Sequence, residues 1–508
     1  MSPARTSVAG ALVPSQIVRN GLTSSSVVAH VPGPVEHISG PGHNTPGHIS
    51  VPTLTISHAR SLRALPLHLL HTSSWADQRP VWLNTREFGT LLNTLRTSSE
   101  AASARLADNA VMHLATLRDG ITGASPSDRP PQHPREIVVA LHRILTRSRF
   151  LKGSRSCFPL ETAMEQMVPF VQSQQPVTIV TIGFPFKQHD NGLKVAGPWP
   201  DLAELGALLR LKELDGAFRA VYPPGLRVII LNDGGYSRPR GQPEMRRYRR
   251  QLKRYAQLVD LGNAVRFCDQ SCFVAHLLGP RDWSTREKYR RTFRDRISLL
   301  AGEPRELHNA PRIDQRLAEA LPPELLAGMP SFCDILSSLV YSVPVPPRAG
   351  TDSRRWACEV LACPDGFTAP DLSPELASAR RRVVASAWQD SVNYLAASLA
   401  DAAAGVVAQF PPHVRLATVA SRPGCSGFSY LGGSTLLPWH GTGCLDGRGV
   451  LCAEFLVSLD DRGFLPVYCD LIGAEQPLMM VPFARTRFAH GRREVDPSLL
   501  ANARLRSR

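Results

Sequence analysis

Apolar positions along this chain follow two rhythms. From Thr85 to Leu117 the spacing of Phe88, Leu91, Leu92, Leu95, Leu106, Met112 and Leu114 predicts one or two amphipathic helices. The same period returns in REIVVALHRILTRSRF, from about Pro134, and in LETAMEQMVPFVQSQ. Then the rhythm changes. PVTIVTIGF and LRVIILN are continuous apolar runs bounded by turn residues, the pattern of strands covered on both faces, and the helix PDLAELGALLRLKELDGAFRAVY separates them. Strand, helix, strand in that order predicts a β-α-β unit with parallel strands in an α/β fold. In open sheets of this kind ligands collect beyond the carboxyl ends of the strands, and GFPFK and NDGGY stand at those ends.

The rest of the chain reads more coarsely. STREKYRRTFRDRISLLAG and ASARRRVVASAWQDSVNYLAASLADAAAGVVAQF are the clearest later helices. The stretch YSVPVPPRAGTDSRRWACEVLACPDGFTAPDLSP is too rich in Pro and Gly for regular core. HVRLATVA reads as a strand, and GVLCAEFLVSL and GFLPVYCDLI are expected to pair as a hairpin across DDRG. The organisation expected is a Ser/Pro/Gly/His-rich tail over 1–74 without packed structure, a helical extension and linker over 75–133, a catalytic α/β domain over 134–485 and a basic tail over 486–508.

Composition narrows the classes. With 508 residues and 43% hydrophobic content the chain can bury a large core. No apolar run approaches the roughly 20 residues of a membrane span, and the first residues lack a secretory h-region. Ten scattered cysteines fit free thiols in a reducing compartment, so a cytoplasmic protein is expected. Seven of the 16 histidines precede Trp75, but their spacings match no structural zinc pattern. The net charge of +15 is local: residues 238–296 hold 16 Lys and Arg against 6 Asp and Glu. A solvated helix face is preferred there over a nucleic-acid footprint, since no nucleic-acid-binding signature accompanies it.

Lys187 follows a strand end, where Pro185 stops ladder pairing. In an apolar pocket its amine could be desolvated into a base or a carbonyl-binding group; equally, its charge could hold a phosphate or carboxylate. Around it, Phe184-Pro185-Phe186-Lys187, Lys194-Val195, Pro200-Asp201-Leu202-Ala203-Glu204, Tyr222-Pro223-Pro224-Gly225 and Asn232-Asp233-Gly234 with Tyr236 follow in order. FPPHVRL (410–416) and LLPWH (436–440) come later. In types and order these blocks resemble the isonitrile (isocyanide) synthase family, also called the pyoverdine/dityrosine biosynthesis family. Two departures mark a divergent branch: the usual Arg-Leu-Ser-Ile-His is Arg415-Leu416-Ala417-Thr418-Val419 here, and Ser-Asp-Gly is Asn-Asp-Gly.

The resemblance implies a Rossmann-like α/β fold with a mostly parallel sheet flanked by helices, behind a flexible N-terminal extension. It implies conversion of the α-amino group of a tyrosine- or tryptophan-like amino acid to an isonitrile, with ribulose 5-phosphate as carbon donor and no metal or organic cofactor. An N-formyl product is the close alternative, and an iron/2-oxoglutarate oxygenase is the pathway partner the resemblance suggests. The substrate amine must attack as a free base and the imine must lose water, so acid and base groups are required. The sugar phosphate and the substrate carboxylate need cations. Lys187, Asp233 and His440 are the catalytic candidates; Lys194, Tyr236, Arg247, Arg250 and Arg415 are the substrate-binding ones. Arg247 and Arg250 share a helix face by their i,i+3 spacing.

Overall fold

The computed structural model describes residues 81–508 apart from 123–132, 188–191, 233–241, 303–309, 327–328, 341, 362–372, 419–420, 422–423, 433–435, 470–474, 490 and 507–508. The expected N-terminal tail lies outside the described residues. Strand β1 (Val81–Leu83) opens it, followed by helices α1 (Thr85–Thr122), α2 (Pro134–Leu145) and α3 (Leu160–Gln172). The 85–117 periodicity therefore belongs to one long helix. Next come β2 (Val177–Ile182), α4 (Leu202–Val221), β3 (Leu226–Asn232), α5 (Gln242–Leu258), β4 (Val265–Asp269) and α6 (Gln270–Ala301). A helical layer follows: α7 (Ala310–Ala320), α8 (Pro323–Leu326), α9 (Phe332–Val340), α10 (Ser353–Leu361) and α11 (Pro374–Ala403). The remaining elements are β5 (Val414–Ala417), β6 (Ser426–Gly427), β7 (Thr442–Leu445), β8 (Val450–Glu454), α12 (Leu456–Asp461), β9 (Phe464–Cys469), β10 (Met479–Pro482), β11 (Thr486–Ala489), β12 (Arg492–Val495), α13 (Pro497–Ala501) and β13 (Arg504–Leu505).

One sheet is five-stranded, in the order β4-β3-β2-β5-β6, and every neighbouring pair is parallel. The predicted β-α-β unit is its centre, with Ile179 opposite Val228 on one side and Val414 on the other. Strand order runs outward from β2 through β3 to β4, then returns to the other side of β2 for β5 and β6. The reversal lies between β2 and β5, so ligands are expected beyond the carboxyl end of β2, where Lys187 follows. Val177, Ile179, Val228, Val414 and Leu416 pack with Met167 and Val171 of α3 and Leu205, Leu208 and Leu209 of α4 in the main core. With apolar residues on every side, α4 is buried around most of its circumference.

A second, mixed sheet has the order β1-β9-β10-β7-β8-β13. It corrects the expected hairpin across DDRG: β8 pairs with β7 and β13, while β9 pairs with β1 and β10. After Glu454 the apolar positions turn helical, and α12 buries Leu456 and Leu459 against Cys444, Cys452 and Met480. The Pro- and Gly-rich stretch after α9 also holds more order than its composition predicts. There α10 buries Trp356 and Val360 in a separate core with Phe293, Leu317, Phe332 and Trp388. In the basic segment α5 turns Met245, Tyr248, Leu252 and Tyr255 inward and leaves most of its cations on the other side. No helix among the described residues is long and apolar enough to cross a membrane.

Candidate active site

The backbone after β2 is held in an unusual path. Phe184 has a φ of 51°, a left-handed conformation costly for an aromatic residue. Three contacts keep it there. The Asn232 side-chain amide, at the end of β3, donates to the Phe184 carbonyl. The Phe184 ring lies 4.9 Å from Trp439 and edge-on to Tyr430 at 5.8 Å. Gly183 has no room for a side chain, since a Cβ there would sit 2.6 Å from Trp439 Cη2. The Pro438–His440 turn is thereby seated on the end of β2.

That turn and the start of α4 enclose Lys187, whose side chain is fully buried. Its Nζ donates to the carbonyls of Gly441 at 2.6 Å and Pro438 at 3.2 Å, and pairs with Asp201 Oδ2 at 2.8 Å and Glu204 Oε2 at 3.1 Å. Asp201 and Glu204 form the capping box of α4: Ala203 N–H donates to Asp201 Oδ1, and Asp201 N–H donates to Glu204 Oε2. Asp201 Oδ2 also accepts from Gly443 N–H at 3.1 Å. Tyr248 of α5 donates its hydroxyl to Glu204 Oε1 at 3.0 Å. A local capping motif has become a buried, fully bonded network.

Its electrostatics follow from burying two carboxylates against one ammonium. Burial alone would lower the Lys187 pKa, but Asp201 and Glu204 together outweigh it and hold the value above the ordinary 10.5. The desolvated, low-pKa amine envisaged for Lys187 is not what the fold builds; the lysine stays charged. Burial lifts Glu204 to about 8, with Asp201 adding to the rise and Lys187 opposing it. Near neutral pH Glu204 therefore carries a proton, which balances the cluster. Burial, reinforced by Glu204, pushes Tyr248 well above 10, so it remains a neutral phenol.

The network forms one wall of a cavity of about 450 Å³, lined by Phe186, Lys187, Trp199, Arg247, Tyr248 and Arg250 among others. Arg247 lies over the Trp199 ring at 4.1 Å and pairs with Glu475, which also accepts from Trp199 Nε1 at 3.1 Å. Arg250 has no ion-pair partner among the described residues. One hollow thus joins two guanidinium groups, two aromatic rings and a phenol backed by a protonated carboxyl. It can hold an anion, stack an apolar group and transfer a proton.

Of the residues named from sequence, Lys187, Arg247 and Arg250 meet at this cavity. His440 is not among the residues lining it; it is half-buried on the turn whose flanking carbonyls hold Lys187, its ring edge-on to Trp439. Lys194 is buried elsewhere, with Nζ 2.7 Å from Ser342 Oγ, and burial lowers its amine to about 7. Its carbonyl accepts from Thr442 Oγ1 at 3.4 Å. Arg415 does not join the cavity walls. It occupies β5 opposite Val180, and because neighbours alternate faces, burying Val414 and Leu416 turns it to the other side of the sheet. Asp233 and Tyr236 lie outside the described residues.

Sequence reasoning missed Asp201, Glu204 and Tyr248 as site residues. A signal for the first two was present: the capping box opens a helix apolar on all sides, so its carboxylates had to be buried and needed a cation. Tyr248 was visible only as one of the apolar positions of a basic helix.

Residues 167–311 match the model of the family described as pyoverdine/dityrosine biosynthesis protein. A stretch of 79 residues is 39% identical to the isocyanide synthase-NRPS hybrid crmA of Aspergillus fumigatus, covering 15% of this chain and 5% of that protein. Another of 74 residues is 35% identical to the L-tyrosine isonitrile synthase of Xenorhabdus nematophila, covering 15% of this chain and 22% of that one. The chain thus spans under a quarter of the length of either relative. The crystal structure of PvcA from Pseudomonas aeruginosa aligns over 69% of this chain and 99% of that one, with a TM-score of 0.43 and 17% identity.

Proposed function

We propose that the chain, whose residues 167–311 match the pyoverdine/dityrosine biosynthesis family model, converts the α-amino group of an amino acid to an isonitrile, with ribulose 5-phosphate as carbon donor. The observation that carries the reading is the meeting of Arg247, Arg250 and Tyr248 at one cavity, with Glu204 directly behind the phenol. Arg247 and Arg250 hold the sugar phosphate. Trp199 and Phe186 give an aromatic amino acid a surface to pack on.

The first step joins the substrate nitrogen to the ketose carbonyl and releases water. The carbinolamine oxygen leaves only once it is protonated. Tyr248 supplies that proton by turning its hydroxyl hydrogen from Glu204 Oε1 into the cavity, and the carboxyl proton of Glu204 then takes its place in the 3.0 Å hydrogen bond and replaces the one lost. Lys187 faces four acceptors with three protons, so its part is to fix the carboxylates and the Pro438–Gly441 turn. His440, within that turn, is the second proton-transfer candidate. Lys194, Asp233, Tyr236 and Arg415 are retained only as assignments suggested by the family motif.

The test is mass spectrometry of purified protein with uniformly ¹³C-labelled ribulose 5-phosphate and each of the twenty amino acids. The expected product is one amino acid with a single labelled carbon on nitrogen, as an isonitrile. A labelled N-formyl amino acid would keep the carbon donor and change the product. No labelled product with any amino acid would overturn the reading.

A further inference from the structure

Cys444 of β7 and Cys452 of β8 are directly opposed in the antiparallel pair, with their Sγ atoms 3.2 Å apart. Both are buried. Glu454 lies two residues beyond Cys452 on the same face of β8, and its Oε1 is 3.9 Å from Cys452 Sγ. The two sulfurs and a Glu454 oxygen all fall within 4.8 Å of one another. The other oxygen, Oε2, is held by Arg462. Family resemblance and the proposed reaction leave this cluster unused.

We propose that Cys444, Cys452 and Glu454 bind a thiophilic divalent metal ion, Zn²⁺ by chemistry, as a clasp between β7 and β8. Zinc takes thiolate and carboxylate ligands at about 2.3 and 2.1 Å in tetrahedral geometry, which separates two thiolates by about 3.8 Å. Opening the sulfurs by roughly half an ångström reaches that value, well within the freedom of two side chains. Two thiolates and one carboxylate around a divalent ion leave one negative charge, which Arg462 offsets while orienting the carboxylate. The fourth position is left to solvent, on the side where Glu454 is partly exposed.

Glu454 separates this reading from a disulfide. A bond between the sulfurs would need neither the third donor nor its arginine, whereas a metal needs both. The placement also gives the clasp a purpose independent of the proposed reaction. Cys444 follows Gly443, whose N–H bonds Asp201, and lies three residues past Gly441, whose carbonyl holds Lys187. Tying β7 to β8 fixes the strand from which those two contacts arise.

Full-length protein purified under reducing conditions and stripped with a chelator should be titrated with Co²⁺ and then Zn²⁺. The expected result is one Co²⁺ per chain with a thiolate-to-cobalt charge-transfer band, displaced by one equivalent of Zn²⁺, and a rise in Tm with either ion. Cys444→Ser and Cys452→Ser should abolish the band. Glu454→Gln, at a partly exposed position that leaves the core intact, should weaken Zn²⁺ binding at least tenfold; Cys272→Ser should change nothing. The absence of a band in the native chain, or Glu454→Gln affinity equal to wild type, would overturn the site. So would a native mass lower by two hydrogens with the Cys444 and Cys452 peptides linked, which assigns a disulfide instead. None of these readouts depends on isonitrile formation, so the clasp and the catalytic reading fail separately.

Discussion

Replacing Glu204 with glutamine tests the electrostatics of the cavity wall. The amide is isosteric with a protonated carboxyl: its oxygen can accept from Asp201 N–H and Lys187, and its NH₂ can donate to Tyr248. In wild type the folded value of about 8 lies above the ordinary 4.5. Between those limits the native state keeps a proton that the unfolded chain has released. The stability Glu204 contributes is complete below about 4.5 and is lost as pH rises through 8. Each unit in that window removes about 1.4 kcal/mol. Glu204→Gln has no such proton. Its unfolding free energy relative to wild type should therefore rise by about 3 kcal/mol from pH 5.5 to 7.5. Urea unfolding of both proteins at half-unit pH steps measures the difference directly. A flat difference across that range would mean that Glu204 is ionised and that Lys187 wins over burial. The same variant should lose on the order of 100-fold or more in kcat, since the amide cannot refill the phenol.

Lys187→Ala should abolish product formation and also destabilise the fold by about 3–5 kcal/mol, because the buried Asp201 carboxylate loses its cation and Glu204 loses a donor; a denaturation midpoint equal to wild type would contradict the network. Arg247→Ala and Arg250→Ala should each raise KM for ribulose 5-phosphate about 10- to 100-fold with a smaller change in kcat, as expected for a charged hydrogen bond worth about 1.5–3 kcal/mol. Initial rates against sugar phosphate concentration decide this. Gly183→Ala should cost about 1–3 kcal/mol through collision of the new Cβ with Trp439, read as a lower Tm, and a neutral substitution would mean that the Pro438–His440 turn is loosely seated.

The parallel sheet was legible because β2 and β3 are continuous apolar runs around a long helix, and a pattern covered on both faces admits few other topologies. β4 escaped notice because VRFCD is short and carries an exposed arginine at a sheet edge. The β8–β9 hairpin failed for a different reason. Adjacency in sequence suggested pairing, but α12 intervenes and β10 and β7 fill the space between the two strands. Arg415 shows the limit of motif reasoning: its position in a block could be matched, but the face it takes is set by which strand neighbours are buried.

The active-site wall was hidden in plain secondary-structure grammar. Pro200-Asp201-Leu202-Ala203-Glu204 reads as a helix start, and it is one: both carboxylates satisfy orphan N–H groups of α4. At an exposed helix end that would exhaust their meaning. Here α4 is buried along nearly its whole length, so water cannot solvate the charge that the cap brings in. The fold answers with Lys187 from the loop after β2, and Glu204 answers by keeping its proton. Capping, ion pairing and a proton poised near neutrality thus share one cause, the burial of α4. A change that exposed this helix end should relax Glu204 toward an ordinary carboxylate while leaving the cap intact.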